Sequence, residues 1–125
     1  MIGIDALLGK TLTRAEVRNE DTEITFEAED GSCFLMYHYQ DCCESVYVES
    51  VVGDLSDLIG SPILQAEEVV QMSGDDASLE GRGDESFTWT FYKLATIKGS
   101  VTIRWYGGSN GYYSESVTFK QLEAA

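Results

Sequence analysis

The residues best equipped for chemistry lie close together. The stretch "HYQDCCESVYVES" (38–50) holds the chain's one histidine, His38, two of its three cysteines, Cys42 and Cys43, and the acids Asp41 and Glu44. Imidazole, thiolate and carboxylate are zinc ligands, and a cysteine near a histidine can form a nucleophile–base pair. The spacing argues against both. Structural zinc sites favour cysteines separated by roughly two to four residues, and adjacent cysteines on an extended segment point to opposite faces. No oxyanion hole or orienting group is legible, and an acid-rich chain singles out no carboxylate pair for hydrolysis. His38, Cys42 and Cys43 therefore read as structural, with no metal or cofactor and no enzymatic activity.

Charge offers a second kind of chemistry. The chain carries 22 acids against 8 bases, a formal net of −14. Residues 1–86 hold 20 acids and 4 bases, and residues 87–125 hold 2 acids and 4 bases. Such a field repels nucleic acid and anionic membranes and attracts basic surfaces. In "TEITFEAED", Ile24, Phe26 and Ala28 fall on one strand face, and Glu23, Thr25, Glu27 and Glu29 on the other. Carboxylates two residues apart on a strand are about 6.6–6.8 Å apart. Glu20, Asp21 and Asp30 extend the cluster. This acidic face could occupy Arg and Lys sites built for phosphates. The plainer alternative is a solvated face that discourages aggregation.

An alternative ligand surface is the set Tyr92, Arg104, Tyr106, Tyr112 and Tyr113, in the net-positive C-terminal part. Exposed tyrosines beside an arginine can stack on a base and hold a phosphate. Ordinary cross-strand aromatic pairing is the plainer account of them.

Strands must position these residues. A chain of 125 residues reads as one domain with a real core. The strand "TEITFEAED" turns at Glu29–Gly31 into "SCFLMYHYQ", and "SVYVESV" follows the cysteine pair. "GDLSDLIG" reads as a helical turn with Asp54 as N-cap and Gly60 as stop, ended by Pro62. Residues 73–86, Gly, Ser and acid without periodicity, read as a mobile loop. "FTWTFYKLATI", "SVTIRWYG" and "YYSESVTFKQL" then form a meander. Its core residues are Trp89, Phe91, Val101, Ile103, Trp105, Val117 and Phe119. "GGSNG" (107–111) lacks the Lys and helix of a phosphate cradle and reads as a hairpin loop.

An internal repeat organises the whole. "LLGKTLTRAE" (7–16) matches "LIGSPILQAE" (58–67) at an offset of 51. "GSCFLMYHY" matches "GSVTIRWYG" at 68, and "ESVYV" (44–48) matches "ESVTF" (115–119) at 71. The prediction is a mainly β, α+β domain of two pseudo-repeated units, about 5–52 and 56–123. Each unit has four mostly antiparallel strands and a short helical turn. At offset 68, Cys33 meets the core-type Val101 and reads as a small buried hydrophobe, and His38 meets Tyr106.

"HYQDCCESVYVE", "GDLSDLIGSPILQAEE", "TWTFYKLATIKGSVTIRWYG" and "NGYYSESV" resemble a family of small uncharacterised proteins carried by tailed phages and prophages. The resemblance covers nearly the whole chain. It implies a phage genome, expression inside a bacterium and an accessory role, and it transfers no catalytic residue. No apolar run reaches the roughly 18–20 residues of a membrane span. The N-terminus lacks the pattern of a signal peptide. The expectation is therefore the host cytoplasm, with reduced thiols.

The expected function is binding without catalysis: inhibition of a basic host or antiviral-defence protein, in the manner of anti-CRISPR or anti-restriction proteins. No direct contact with nucleic acid or membrane is expected, and a dimer is left open. A nucleotide-binding protein or hydrolase, or a minor phage structural component, is the alternative.

Overall fold

The structure, a computed structural model, describes residues 2–72 and 85–122. Among the described residues eight strands run in the order β1 (Leu12–Arg18), β2 (Glu23–Ala28), β3 (Cys33–Tyr37), β4 (Ser45–Val52), β5 (Gln65–Met72), β6 (Ser86–Thr96), β7 (Gly99–Ser109) and β8 (Thr118–Leu122). Short 3-10 turns, Ile4–Leu7 and Leu55–Leu58, precede β1 and β5. Every strand pairing is antiparallel. Most of the loop expected at 73–86 lies outside the described residues, and Ser86 already belongs to β6. Among the described residues no helix is long and apolar enough to cross a membrane.

The strands form two sheets, ordered β1-β2-β3-β8 and β4-β7-β6-β5. Their facing sides share one apolar core. It contains Ile24, Phe26, Phe34, Met36 and Phe119 from the first sheet, and Val48, Tyr92, Leu94, Ile103 and Trp105 from the second. Alternation explains β2 and β3: Ile24, Phe26, Phe34 and Met36 point inward and their neighbours outward. The Trp105 indole N–H donates to the Met36 sulfur across the core at 3.1 Å.

The two units have the same plan. The 3-10 turns are offset by 51 residues. So are their stops, Gly9 at φ 80° and Gly60 at φ 84°, in the left-handed region that glycine enters at little cost. The Gly9 N–H donates to the Ile63 carbonyl and the Gly60 N–H to the Leu12 carbonyl, at 2.8 and 2.9 Å. Those partners are offset by 51 as well. Asp54 caps the second turn by accepting from the Ser56 N–H.

The fourth strands depart from the expected meander. β4 leaves its own unit to pair with β7, and β8 leaves its own to pair with β3. Each half completes the other's sheet. Consequently "GGSNG" is not a hairpin loop. Gly107–Ser109 end β7, and the chain then crosses between sheets.

Two face assignments are corrected. On β6, Tyr92 and Leu94 face the core, while Trp89 and Phe91 stack on the outer face. Both faces of this strand are apolar, so alternation could not fix its phase. The pairing Tyr92↔Ile103 and Leu94↔Val101 does. The third strands also do not match at 68. Five residues separate the paired Glu27 and Cys33, but two separate Thr96 and Gly99. The odd difference turns the third strand over, so Cys33 is half-buried rather than a core residue like Val101.

Candidate functional site

The two connections that carry β4 and β8 between sheets hold the best-organised polar groups. In the first, residues 38–44 are anchored by Glu44, whose side chain is fully buried. Its Oε2 accepts from His38 Nε2 at 2.7 Å and from the Asp41 N–H at 2.9 Å. Its Oε1 accepts from the Cys42 N–H at 2.9 Å and from Gln40 Nε2 at 3.2 Å. His38 Nδ1 lies 2.7 Å from the Ser116 carbonyl of the second connection. Both ring nitrogens thus lie within hydrogen-bond reach of an oxygen. His38 ties the two connections together.

Both ring nitrogens and both carboxylate oxygens are engaged. Among the described residues no three His, Cys, Asp or Glu side chains converge to hold a metal ion. The Cys42 and Cys43 sulfurs face each other within bonding distance, which corrects the expectation that these adjacent side chains point to opposite faces. Residues 42 and 43 form a bend rather than extended chain, because Glu44 gathers the preceding backbone N–H groups around its carboxylate.

The same network holds the Glu44 carboxyl down to about 2 from an ordinary 4.5. The His38 hydrogen bond is the main cause. The Cys42 and Asp41 N–H groups add to it, against the opposing effect of burial. A depressed carboxyl stabilises the fold fully above its unfolded value and loses that contribution as pH falls through the folded one. The window here runs from about 4.5 down to about 2. Thermal melts across that window should show the parent losing stability, while Glu44→Gln, already weaker at neutral pH, changes less.

The second connection repeats the motif with different partners. Glu115, its sequence match, is 9% exposed. It accepts from the Thr88 hydroxyl at 2.8 Å and the Ser109 hydroxyl at 2.5 Å. The Ser109 hydroxyl in turn accepts from the Gly111 N–H. Gly107 makes the crossing possible, since a Cβ there would sit 2.6 Å from the Glu115 carbonyl oxygen. A cleft of about 370 Å³ opens beside Glu115, between this connection and β5–β6, with Glu68 on its wall. Sequence reasoning passed over Glu68 and Glu115 as site residues, although the repeated "ESV" was the available signal.

The predicted acidic face is distributed more widely than expected. Glu23 and Glu27 do share the outer face of the first sheet, but they are half-buried and lie opposite Arg18 and Arg14 of β1. Arg14 reaches Glu16 at 3.1 Å and Glu27 at 3.8 Å. Asn19 Nδ2 donates to Glu23. Asp30 pairs with Lys10 at 2.6 Å, and that contact, with help from Ser32, holds its carboxyl well below the usual range. Glu20 and Asp21 lie in the β1–β2 turn, and Glu29 and Asp30 in the β2–β3 turn at the other end of the sheet. Glu20, Asp21 and Glu29 are exposed. Asn19, Glu20 and Asp21 all have positive φ, 52°, 54° and 67°, an uncommon backbone for three residues other than glycine. The Val48 N–H, donating to the Asp21 carbonyl at 2.6 Å, pins this turn to β4.

The tyrosine–arginine set is not one surface. Tyr92 is fully buried in the core. Its phenol is pushed up by burial and, secondarily, by Glu68. Tyr106 is 1% exposed on the opposite face, packed against Tyr47, Phe87 and Trp89. Arg104 lies over Trp89 and Phe91 at 5.1 and 5.9 Å from the ring centroids. Tyr112 is 88% exposed and Tyr113 half-buried, both in the second connection. Burial and face thus separate Tyr92 and Tyr106 from any exposed stacking surface.

No curated protein and no solved structure matches the chain. A family model does: over residues 5–119, from the first 3-10 turn into β8, the chain fits the one described as "Domain of unknown function (DUF7448)", and it belongs to that family.

Proposed function

We propose that this protein is a phage-encoded, non-enzymatic accessory protein that binds a basic host or antiviral-defence protein in the bacterial cytoplasm and blocks it. One observation carries the reading: the chain has a net charge of −14, and among the described residues most acidic side chains are exposed, with only Glu44 and Glu115 buried. The exposed Glu29 and the Asn19–Asp21 turn, at opposite ends of the first sheet, are the favoured contacts, above all the turn. It holds Glu20 and Asp21 out on left-handed backbone fastened to β4. Glu23, Glu27 and Asp30 contribute less, because Asn19, Arg14 and Lys10 already engage them.

Single exposed ion pairs contribute only about 0–1 kcal/mol, so affinity must come from several contacts at once. The test is capture from host lysate at low and high salt, with the parent and with a triple variant, Glu20→Gln, Asp21→Asn and Glu29→Gln. The parent should retain a basic, nucleic-acid-handling protein and release it as salt rises. The variant should retain less, with a shallower dependence on salt. Capture indifferent both to salt and to these three charges would refute the reading.

A further inference from the structure

The two crossing connections are built alike but balanced differently. Glu44 meets an imidazole and two backbone N–H groups. Glu115, in the matching place, meets only the hydroxyls of Thr88 and Ser109 among the described residues. A buried carboxylate is costly without a cation or several strong donors, and neutral hydroxyls are weaker partners than charged donors. Each Glu115 oxygen accepts one hydroxyl, which leaves further lone pairs unused. Glu44 is closed in by its own connection, whereas Glu115 borders a cleft of about 370 Å³. Among the described residues no Lys, Arg or His lines that cleft, and Glu68 adds a second carboxylate. The rest of the lining includes Val70, Met72 and Val117, with Ser86, Thr90, Ser114 and Ser116 as polar neighbours.

We propose that this cleft binds a primary ammonium on an aliphatic stem, with Glu115 and Glu68 as its anions and Val70 and Val117 against the stem. The ligand supplies to Glu115 from outside the strong donor that His38 supplies to Glu44 from within. A compact ammonium with three donors suits carboxylate and hydroxyl acceptors that line one cleft, whereas a guanidinium suits a planar bidentate partner. The volume accommodates a short alkyl chain, being at the small end of ligand sites. A lysine side chain of a partner protein and a free polyamine share this chemistry. The site does not depend on the Glu20–Asp21 turn. That turn is fastened to β4, and β4 and β5 are opposite edges of the second sheet.

The test is an amide NMR titration of the full chain with pentane-1,5-diamine, with Nα-acetyl-lysine amide, with the Nε-acetylated form of that lysine, and with magnesium chloride. Both amines should give saturable shifts centred on Thr88, Thr90 and residues 113–117. A lower saturating concentration for the lysine amide identifies a protein side chain as the natural occupant, and one for the diamine identifies a polyamine. Glu68→Gln, an exposed change that leaves the fold intact, should weaken binding by roughly tenfold. Glu115→Gln should abolish it if that variant folds. Absence of saturable shifts, equal binding of the acetylated amide, indifference to Glu68→Gln, or the same shifts with magnesium alone would each overturn the proposal. Salt-dependent capture through Glu20, Asp21 and Glu29 succeeds or fails independently of this titration.

Discussion

Trp105→Ala should cost about 3–5 kcal/mol of stability, which lowers Tm by about 10–20 °C. Trp105 is completely buried and heads the large core side chains. Its indole N–H reaches the Met36 sulfur of the facing sheet. It sits on β7, opposite Val48 of β4, where one half's strand completes the other half's sheet. Truncation would leave a cavity on the seam between the halves, and the surrounding strands cannot collapse into it without breaking register. Urea unfolding of the variant and of Trp105→Phe should separate volume from identity, with Phe recovering most of the loss. A Trp105→Ala protein as stable as the parent would mean the sheets do not pack through this residue.

Gly107→Ala should be nearly as damaging, at about 2–4 kcal/mol. The cause is contact, not backbone strain. The added Cβ would lie 2.6 Å from the Glu115 carbonyl oxygen and 3.0 Å from the Glu115 Cβ. Neither can withdraw without displacing the second connection and its hydrogen bonds to Thr88 and Ser109. Gly111→Ala offers the contrast. Gly111 has φ 94° with open space around it, so its cost should be near 1 kcal/mol and arise from conformation alone. Thermal melts of both variants test this, and equal losses would contradict the close-approach account.

Much of the framework was legible because it rests on local chemistry. Ile24, Phe26 and Ala28 alternate cleanly with polar neighbours, and β2 follows that pattern. Asp54 and Gly60 announced the cap and stop of the second turn, and the offset of 51 that relates it to the first is preserved in space. The exchange of β4 and β8 was not legible. Nothing local distinguishes a fourth strand that stays with its unit from one that crosses, since both need the same alternation. The phase of β6 was hidden because Trp89 and Tyr92 are both large, apolar-bodied and buried. A difference in turn length, invisible to short matches, inverted the assignment of Cys33.

The candidate site was legible in part for the same reason. "HYQDCCESV" did mark an organised polar centre, but Glu44 rather than the cysteines is its hub. The acidic strand face was identified by pattern, whereas its dilution by Arg14 and Arg18 depends on which strand lies beside it. Glu115 drew no attention because it stands in the least acidic part of the chain, and its significance comes from comparison with Glu44.

The most direct measurement of the central claim is inhibition of the captured basic protein's action on nucleic acid. The rate is followed at rising nucleic-acid concentration with the parent protein and with the Glu20→Gln, Asp21→Asn, Glu29→Gln variant. Blocking through exposed carboxylates predicts inhibition that nucleic acid relieves competitively, that weakens steeply with salt, and that requires several-fold more of the variant. Inhibition of equal potency by parent and variant, unrelieved by nucleic acid, would contradict it.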